Sequence, residues 1–110
     1  MTHSETMFKN ISELEKAVVQ CRKCDRLVTF REKVAKEKRK SYMHWDYWGK
    51  AVPGYGNPNA KIMILGLAPA AHGGNRTGRV FTGDKSAEFL FNCLYHVGLS
   101  NQPNSDHRDD

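Results

Sequence analysis

Between Ser4 and Gln20 the apolar residues Met7, Phe8, Ile11, Leu14, Ala17 and Val18 recur three and four apart, which predicts an amphipathic helix. Ser12 followed by Glu15 offers a capping box that would start the regular helix at that point. Leu27, Phe30 and Val34 carry a second helical stripe. Next comes a cluster of bulky anchors, Tyr42, Trp45, Tyr47 and Trp48, and then Val52 to Pro58, whose Pro, Gly and Asn residues read as a loop. Lys61 to Leu67, KIMILGL, is a short unbroken apolar run between turn residues, the pattern of a strand buried on both faces of a parallel sheet. From Ser86 to Val97 helical spacing returns at Phe89, Leu90, Cys93, Leu94 and Val97 and stops at Gly98. Cys93 lies in that stripe and reads as a core thiol. Beyond Leu99 the chain runs NQPNSDHRDD, with no apolar residue.

A strand buried on both faces needs strand neighbours and helices above and below it, and no second segment of the chain has the same quality. The expectation is therefore an α/β domain cut in a loop after its first strand-loop-helix unit, with the other strands elsewhere. At 110 residues the chain suits one domain or part of one. Its longest apolar stretch falls far short of the roughly 20 residues that cross a bilayer. Met1 to Asn10 lacks the basic and apolar regions of a secretory leader, so a cytoplasmic location without membrane partners is expected.

Charge narrows the picture only a little. Seventeen Lys and Arg against twelve Asp and Glu leave +5, a balance that favours polyanions without choosing one. The densest basic run, Arg31 to Lys40, reads equally as a phosphate-facing surface or as a solvated helix face laced with i to i+4 pairs. Three cysteines cannot all pair, and a reducing compartment disfavours disulfides. Cys21 and Cys24 in CRKC have the spacing of two ligands to one metal or cluster iron, with Arg22, Lys23 and Arg31 close by in sequence. A structural site needs four ligands, so the pair is half a site or two ordinary cysteines near a helix end.

Gly66 to Asp84 reads GLAPAAHGGNRTGRVFTGD and lies between the expected strand and the next helix, where open α/β sheets place their ligands. Its glycines allow close backbone approach, and Asn75, Arg76, Thr77 and Arg79 offer donors to an anion or base edge, or to the loop itself. His72 adjoins two glycines and is expected to meet phosphate or backbone, or to stand in solvent. Neither a Walker loop nor GxGxxG is present.

This block closely resembles the first active-site motif of the family 5 uracil-DNA glycosylases, the type B iron-sulfur enzymes. CRKCDRLVTFREKVA resembles that family's CxxC segment, YWGKAVPGYGNPNAKIMILGLAPA its aromatic-to-strand passage and FLFNCLYHVGLSNQP its following helix. The resemblance implies a three-layer α/β/α sandwich with a central parallel sheet, of which residues 1–110 would be the N-terminal part. It implies an enzyme that flips uracil out of DNA and hydrolyses its N-glycosidic bond to leave an abasic site, acting as a monomer on uracil-containing DNA at the nucleoid. Cys21 and Cys24 would be two of the four thiolates on a [4Fe-4S] cluster, so this piece alone would be inactive. Gly66, Leu67, Ala68, Pro69, Ala70 and Ala71 would cradle the uracil and Phe81 would stack on it. Leu67 stands where related glycosylases carry a polar, water-activating residue, which leaves Asp84 as the acidic candidate for catalysis. Its alternative is an N-cap for the helix from Lys85, and the two roles can coexist. His72, Asn75, Arg76, Thr77 and Arg79 would serve DNA binding.

A rival reading is a non-enzymatic nucleic-acid-binding module whose Cys21 and Cys24 hold zinc with a partner's ligands. It accounts for the charge and the cysteines but not for the glycine-rich block. A small-molecule phosphate-binding fragment would use the block and ignore the cysteines.

Overall fold

The computed structural model describes residues 8–110. Helix α1 spans Ile11–Val19 and is capped by Asn10, whose Oδ1 accepts the Glu13 N–H at 2.9 Å while Glu13 Oε2 accepts the Lys9 N–H at 2.9 Å. The reciprocal cap thus forms two residues earlier than the Ser12 and Glu15 pair, because Asn10 is as good an N-cap as serine and its partner Glu13 sits three residues on. The part of the expected helix from Ser4 to Met7 lies outside the described residues. Helix α2, Asp25–Glu37, follows after the CRKC turn, and Cys24 is its N-cap residue. Its inward face is Val28 with Arg31, Val34 and Ala35, while Leu27 and Phe30, expected on the packed stripe, are 52% and 56% exposed. A 3₁₀ turn at Lys40–Tyr42 leads into the aromatic segment.

KIMILGL does not form the expected strand. Among the described residues there is no strand at all, and Met63, Leu65 and Leu67 are among the most exposed side chains of the chain. The physical reason is that a strand exists only through its ladder: with no described segment beside it to pair backbone N–H and C=O groups, the apolar run stays unpaired. The sandwich is accordingly absent from the described residues.

What the loops do build is a polar centre. Two residues, Val28 and Ala87, supply the buried hydrophobic surface, whereas Asn75, Arg76, Thr77, Arg79, Thr82 and Ser105 are buried polar groups. Helix α3 is a single turn, Gly74–Thr77, and α4 spans Lys85–His96. The α4 end matches expectation: Gly98 takes φ 79° and the Leu99 N–H reaches back to the Leu94 carbonyl at 2.8 Å. Cys93 does not: it is exposed, as are Phe89 and Val97, because α4 packs through Ala87 and nothing described covers its apolar stripe. The molecule is accordingly flattened, 44 × 39 × 20 Å with a radius of gyration of 15.1 Å, where a compact chain of this length would have about 13 Å. No described helix is long and apolar enough to cross a membrane.

Candidate active-site loop

Arg76 organises the loop from its centre. Its Nε donates to the His72 carbonyl at 2.6 Å and its Nη2 to the Gly83 carbonyl at 2.7 Å, which joins the middle of the glycine-rich segment to its C-terminal end. The guanidinium lies 3.8 Å from the Tyr42 ring centroid and 4.2 Å from that of Trp45, so the aromatic anchors serve as its platform. Thr77 Oγ1 donates to the Gly73 carbonyl at 2.9 Å and closes the α3 turn. Gly78 follows at φ 78°, where a Cβ would stand 2.8 Å from the Trp48 ring; only glycine meets both conditions.

Arg79 ties the loop to the chain's last residues. Its Nε donates to Thr82 Oγ1 at 2.9 Å, its Nη2 meets Ser105 Oγ, and its Nη1 reaches the Arg108 carbonyl at 3.2 Å. Thr82 and Ser105 share a hydroxyl contact at 2.8 Å, and the Gly83 N–H donates to the Ser105 carbonyl at 2.8 Å. The polar tail beyond Leu99 is thus seated on the loop, with His107 stacked on Trp45 at 5.1 Å. Asn75 is 6% exposed and donates from Nδ2 to the Arg31 carbonyl on α2 at 3.1 Å. For Asn75, Arg76, Thr77 and Arg79 the described geometry is therefore the internal alternative, with side chains turned into the loop and not toward an external phosphate.

Two residues with base-side or sugar-side expectations sit at the open part of the loop. The Phe81 ring lies against Gly66, where an added Cβ would come within 3.1 Å of it. Phe81 itself holds φ 50°, a left-handed conformation that a bulky residue adopts only when its surroundings impose it. Asp84 caps α4, its Oδ1 accepting the Ala87 N–H at 2.8 Å. The second oxygen, Oδ2, is turned to the Gly73 backbone so closely that a Cβ there would be 2.5 Å away. Capping therefore occupies one carboxylate oxygen and leaves the other facing the loop.

Gly66 to Ala70 are exposed and Ala71 is half-buried. His72 is half-buried, and its Nδ1 is 2.8 Å from Tyr47 Oη, which also accepts the Arg39 N–H at 3.2 Å. Tyr47 was not singled out as a partner in the sequence; the crowding of aromatics just before a histidine-bearing loop is the only signal for it. Burial, with Arg39 and Arg76 nearby, holds the His72 imidazole below its ordinary range. Stability drawn from neutral His72 is complete above the unfolded value near 6.5 and is lost as pH falls toward the folded value. An NMR titration of the His72 ring is expected to show a midpoint below about 6.5 in the folded protein.

Cys21 is half-buried and Cys24 exposed, both with free thiols. No group of three or more His, Cys, Asp or Glu side chains able to hold a metal ion forms among the described residues. Two thiols on one short turn at the positive end of α2 fit two corners of a cluster held by four thiolates, and Arg31 Nη2 braces that turn through the Cys21 carbonyl at 3.0 Å. Within the basic run Lys33 pairs with Glu37 at 3.9 Å, while Glu32 of the run binds Arg22 of the CRKC turn at 2.6 Å.

Residues 53–107 match the family model described as the Uracil DNA glycosylase superfamily. The chain is 56% identical over 93 residues to a type-5 uracil-DNA glycosylase of Pyrobaculum aerophilum, covering 84% of this chain and 40% of that protein. Against the type-5 uracil-DNA glycosylase of Mycobacterium tuberculosis it is 51% identical over 94 residues, 86% of this chain and 35% of the other. Against that of Thermus thermophilus it is 52% identical over 90 residues, 82% and 41% respectively. The chain thus spans about two-fifths of the length of these curated relatives.

Proposed function

The chain belongs to the uracil DNA glycosylase superfamily, and on that footing we propose that it is the loop-bearing part of a DNA repair enzyme that excises uracil from DNA. The observation that carries the reading is the pairing of Phe81 against Gly66 with Asp84 against Gly73, which sets an aromatic face and a carboxylate oxygen on one loop. The target base must leave its stack to be reached, so the loop backbone from Gly66 to Ala71 receives the flipped uracil and Phe81 stacks on it. Water attacks C1′ as the bond from C1′ to uracil N1 breaks; uracil leaves with the bonding electron pair, and the water's proton is released. Positive charge develops on the sugar, and Asp84 Oδ2, unused by the helix cap, supports the reading as a carboxylate that could oppose it. Arg76 and Arg79 keep the loop in shape without competing for the base.

The fold completed by this activity is the α/β/α sandwich, with KIMILGL as one of its parallel strands and the exposed α4 stripe packed on the sheet. Cys21 and Cys24 supply half the thiolates of a [4Fe-4S] cluster, whose part is to fix the chain between α1 and α2. The protein works as a monomer on uracil-containing DNA in the cytoplasm, with no membrane involved.

The experiment is excision on uracil-containing duplex DNA by the purified intact protein, read beside its absorption spectrum. The expected outcome is an abasic product and a broad band near about 400 nm. A colourless protein with stoichiometric zinc that binds DNA without releasing uracil would replace this reading by the non-enzymatic zinc module.

A further inference from the structure

Two distant parts of the sequence, the CRKC turn and the glycine-rich loop, are joined by one unbroken run of polar contacts. Arg31 Nη2 donates to the Cys21 carbonyl at 3.0 Å, and the Arg31 carbonyl accepts Asn75 Nδ2 at 3.1 Å. The Asn75 N–H in turn donates to the Ala70 carbonyl at 3.0 Å, and the Asn75 carbonyl accepts the Gly49 N–H at 3.0 Å. Asn75 is 6% exposed, so water cannot readily substitute for these partners. The run also contains an unused match: Arg31 Nε, a donor, and Asn75 Oδ1, an acceptor, are both buried without a partner. Buried polar groups are seldom left this way, and the two are a donor and an acceptor on residues already bonded to each other.

We propose that Arg31 and Asn75 are positioning residues that couple the cysteine turn to the uracil-receiving backbone, so that fixing Cys21 and Cys24 holds Ala70 and its neighbours in register. The inference rests on the excision reading above and deepens it by assigning the cluster-bearing turn a role at the base pocket. Ligation at the thiols would immobilise the Cys21 carbonyl; Arg31 then has one fixed anchor, and its carbonyl holds Asn75 more firmly. Coupling free energy is reciprocal. DNA held by the loop must therefore make the cluster harder to remove, by the same factor by which the cluster improves DNA binding.

The test follows the decay of the roughly 400 nm band of the intact protein under a ferrous chelator, with and without saturating abasic-site duplex, the reaction product. Bound DNA is expected to slow bleaching of the parent protein severalfold, because a turn braced through Arg31 opens less often to the chelator when the loop is held. Arg31→Met, which loses the Cys21 contact, and Asn75→Ala, which loses the Arg31 contact, are each expected to bleach at nearly the same rate with DNA as without. Arg31→Lys, which keeps a donor for the Cys21 carbonyl, is expected to recover part of the protection. Protection as large in Arg31→Met as in the parent overturns the coupling, since DNA would then shield the cluster merely by covering it. A coloured, uracil-excising parent whose bleaching ignores DNA overturns the coupling alone, whereas a colourless or inactive parent overturns the excision reading beneath it. Should Asn75→Ala fail to fold, Arg31→Met, at a half-buried position of α2 whose stem methionine replaces, decides the question.

Discussion

Arg76→Met is expected to destabilise the intact protein by about 3–5 kcal/mol. The side chain is 4% exposed, and its removal strands the His72 and Gly83 carbonyls, which it holds at 2.6 and 2.7 Å. Each is a hydrogen bond to a charged donor, a class that contributes about 1.5–3 kcal/mol, and methionine replaces the stem but neither bond. The contact with Tyr42 and Trp45 goes too. Arg76→Lys is expected to recover only a fraction, because an ammonium group reaches one carbonyl at a time and cannot lie flat between two rings. Urea unfolding followed by tryptophan fluorescence checks this directly, since Trp45 is itself one wall of the guanidinium's cage. A midpoint within error of the parent's would show that the loop is held by something other than Arg76.

That expectation also shows which parts of the site can be read in the sequence. Local signals survived: Asp84 as a cap, Gly98 as a stop and the CRKC turn between two helices all rest on chemistry within a few residues. The direction of the arginines did not. Sequence charge leaves Arg76 and Arg79 open between an external anion and the loop itself, because a buried guanidinium is affordable only when several acceptors converge on it, and those acceptors lie at His72, Gly83, Thr82 and Ser105. The nearest clue was the density of Tyr42, Trp45, Trp48 and Tyr55, which are the surfaces that such guanidinium groups lie on.

The apolar segments failed in the opposite sense. KIMILGL and the Phe89, Cys93 and Val97 stripe carry patterns that state what they would bury, and a pattern does not supply the surface that buries it. The packed stripe of α2 moved one position, to Val28, because the loop seats Asn75 on the Arg31 carbonyl and so selects which side of the helix faces inward. Long-range hydrogen bonds, here spanning 44 residues from Arg31 to Asn75, leave no periodic trace along the chain.

Asp84→Asn is expected to leave the fold almost unchanged and to lower single-turnover uracil excision on the order of 10²-fold or more. The geometry separates the two functions by atom. Oδ1 accepts the Ala87 N–H at 2.8 Å, and the amide oxygen of asparagine serves that bond equally well, so the thermal midpoint should barely move. Oδ2 faces the Gly73 backbone inside the loop, and there asparagine places a neutral NH₂ where a negative charge would oppose the cationic sugar. Asp84→Ala removes both contributions and is expected to lose about 1 kcal/mol of stability in addition to the rate. The pair of variants therefore yields two independent differences, cap loss from the melts and charge loss from the rates. Excision by Asp84→Asn within a few-fold of the parent, beside an unchanged melt, would reduce Asp84 to a helix cap and move the search for the charged group to residues outside this loop.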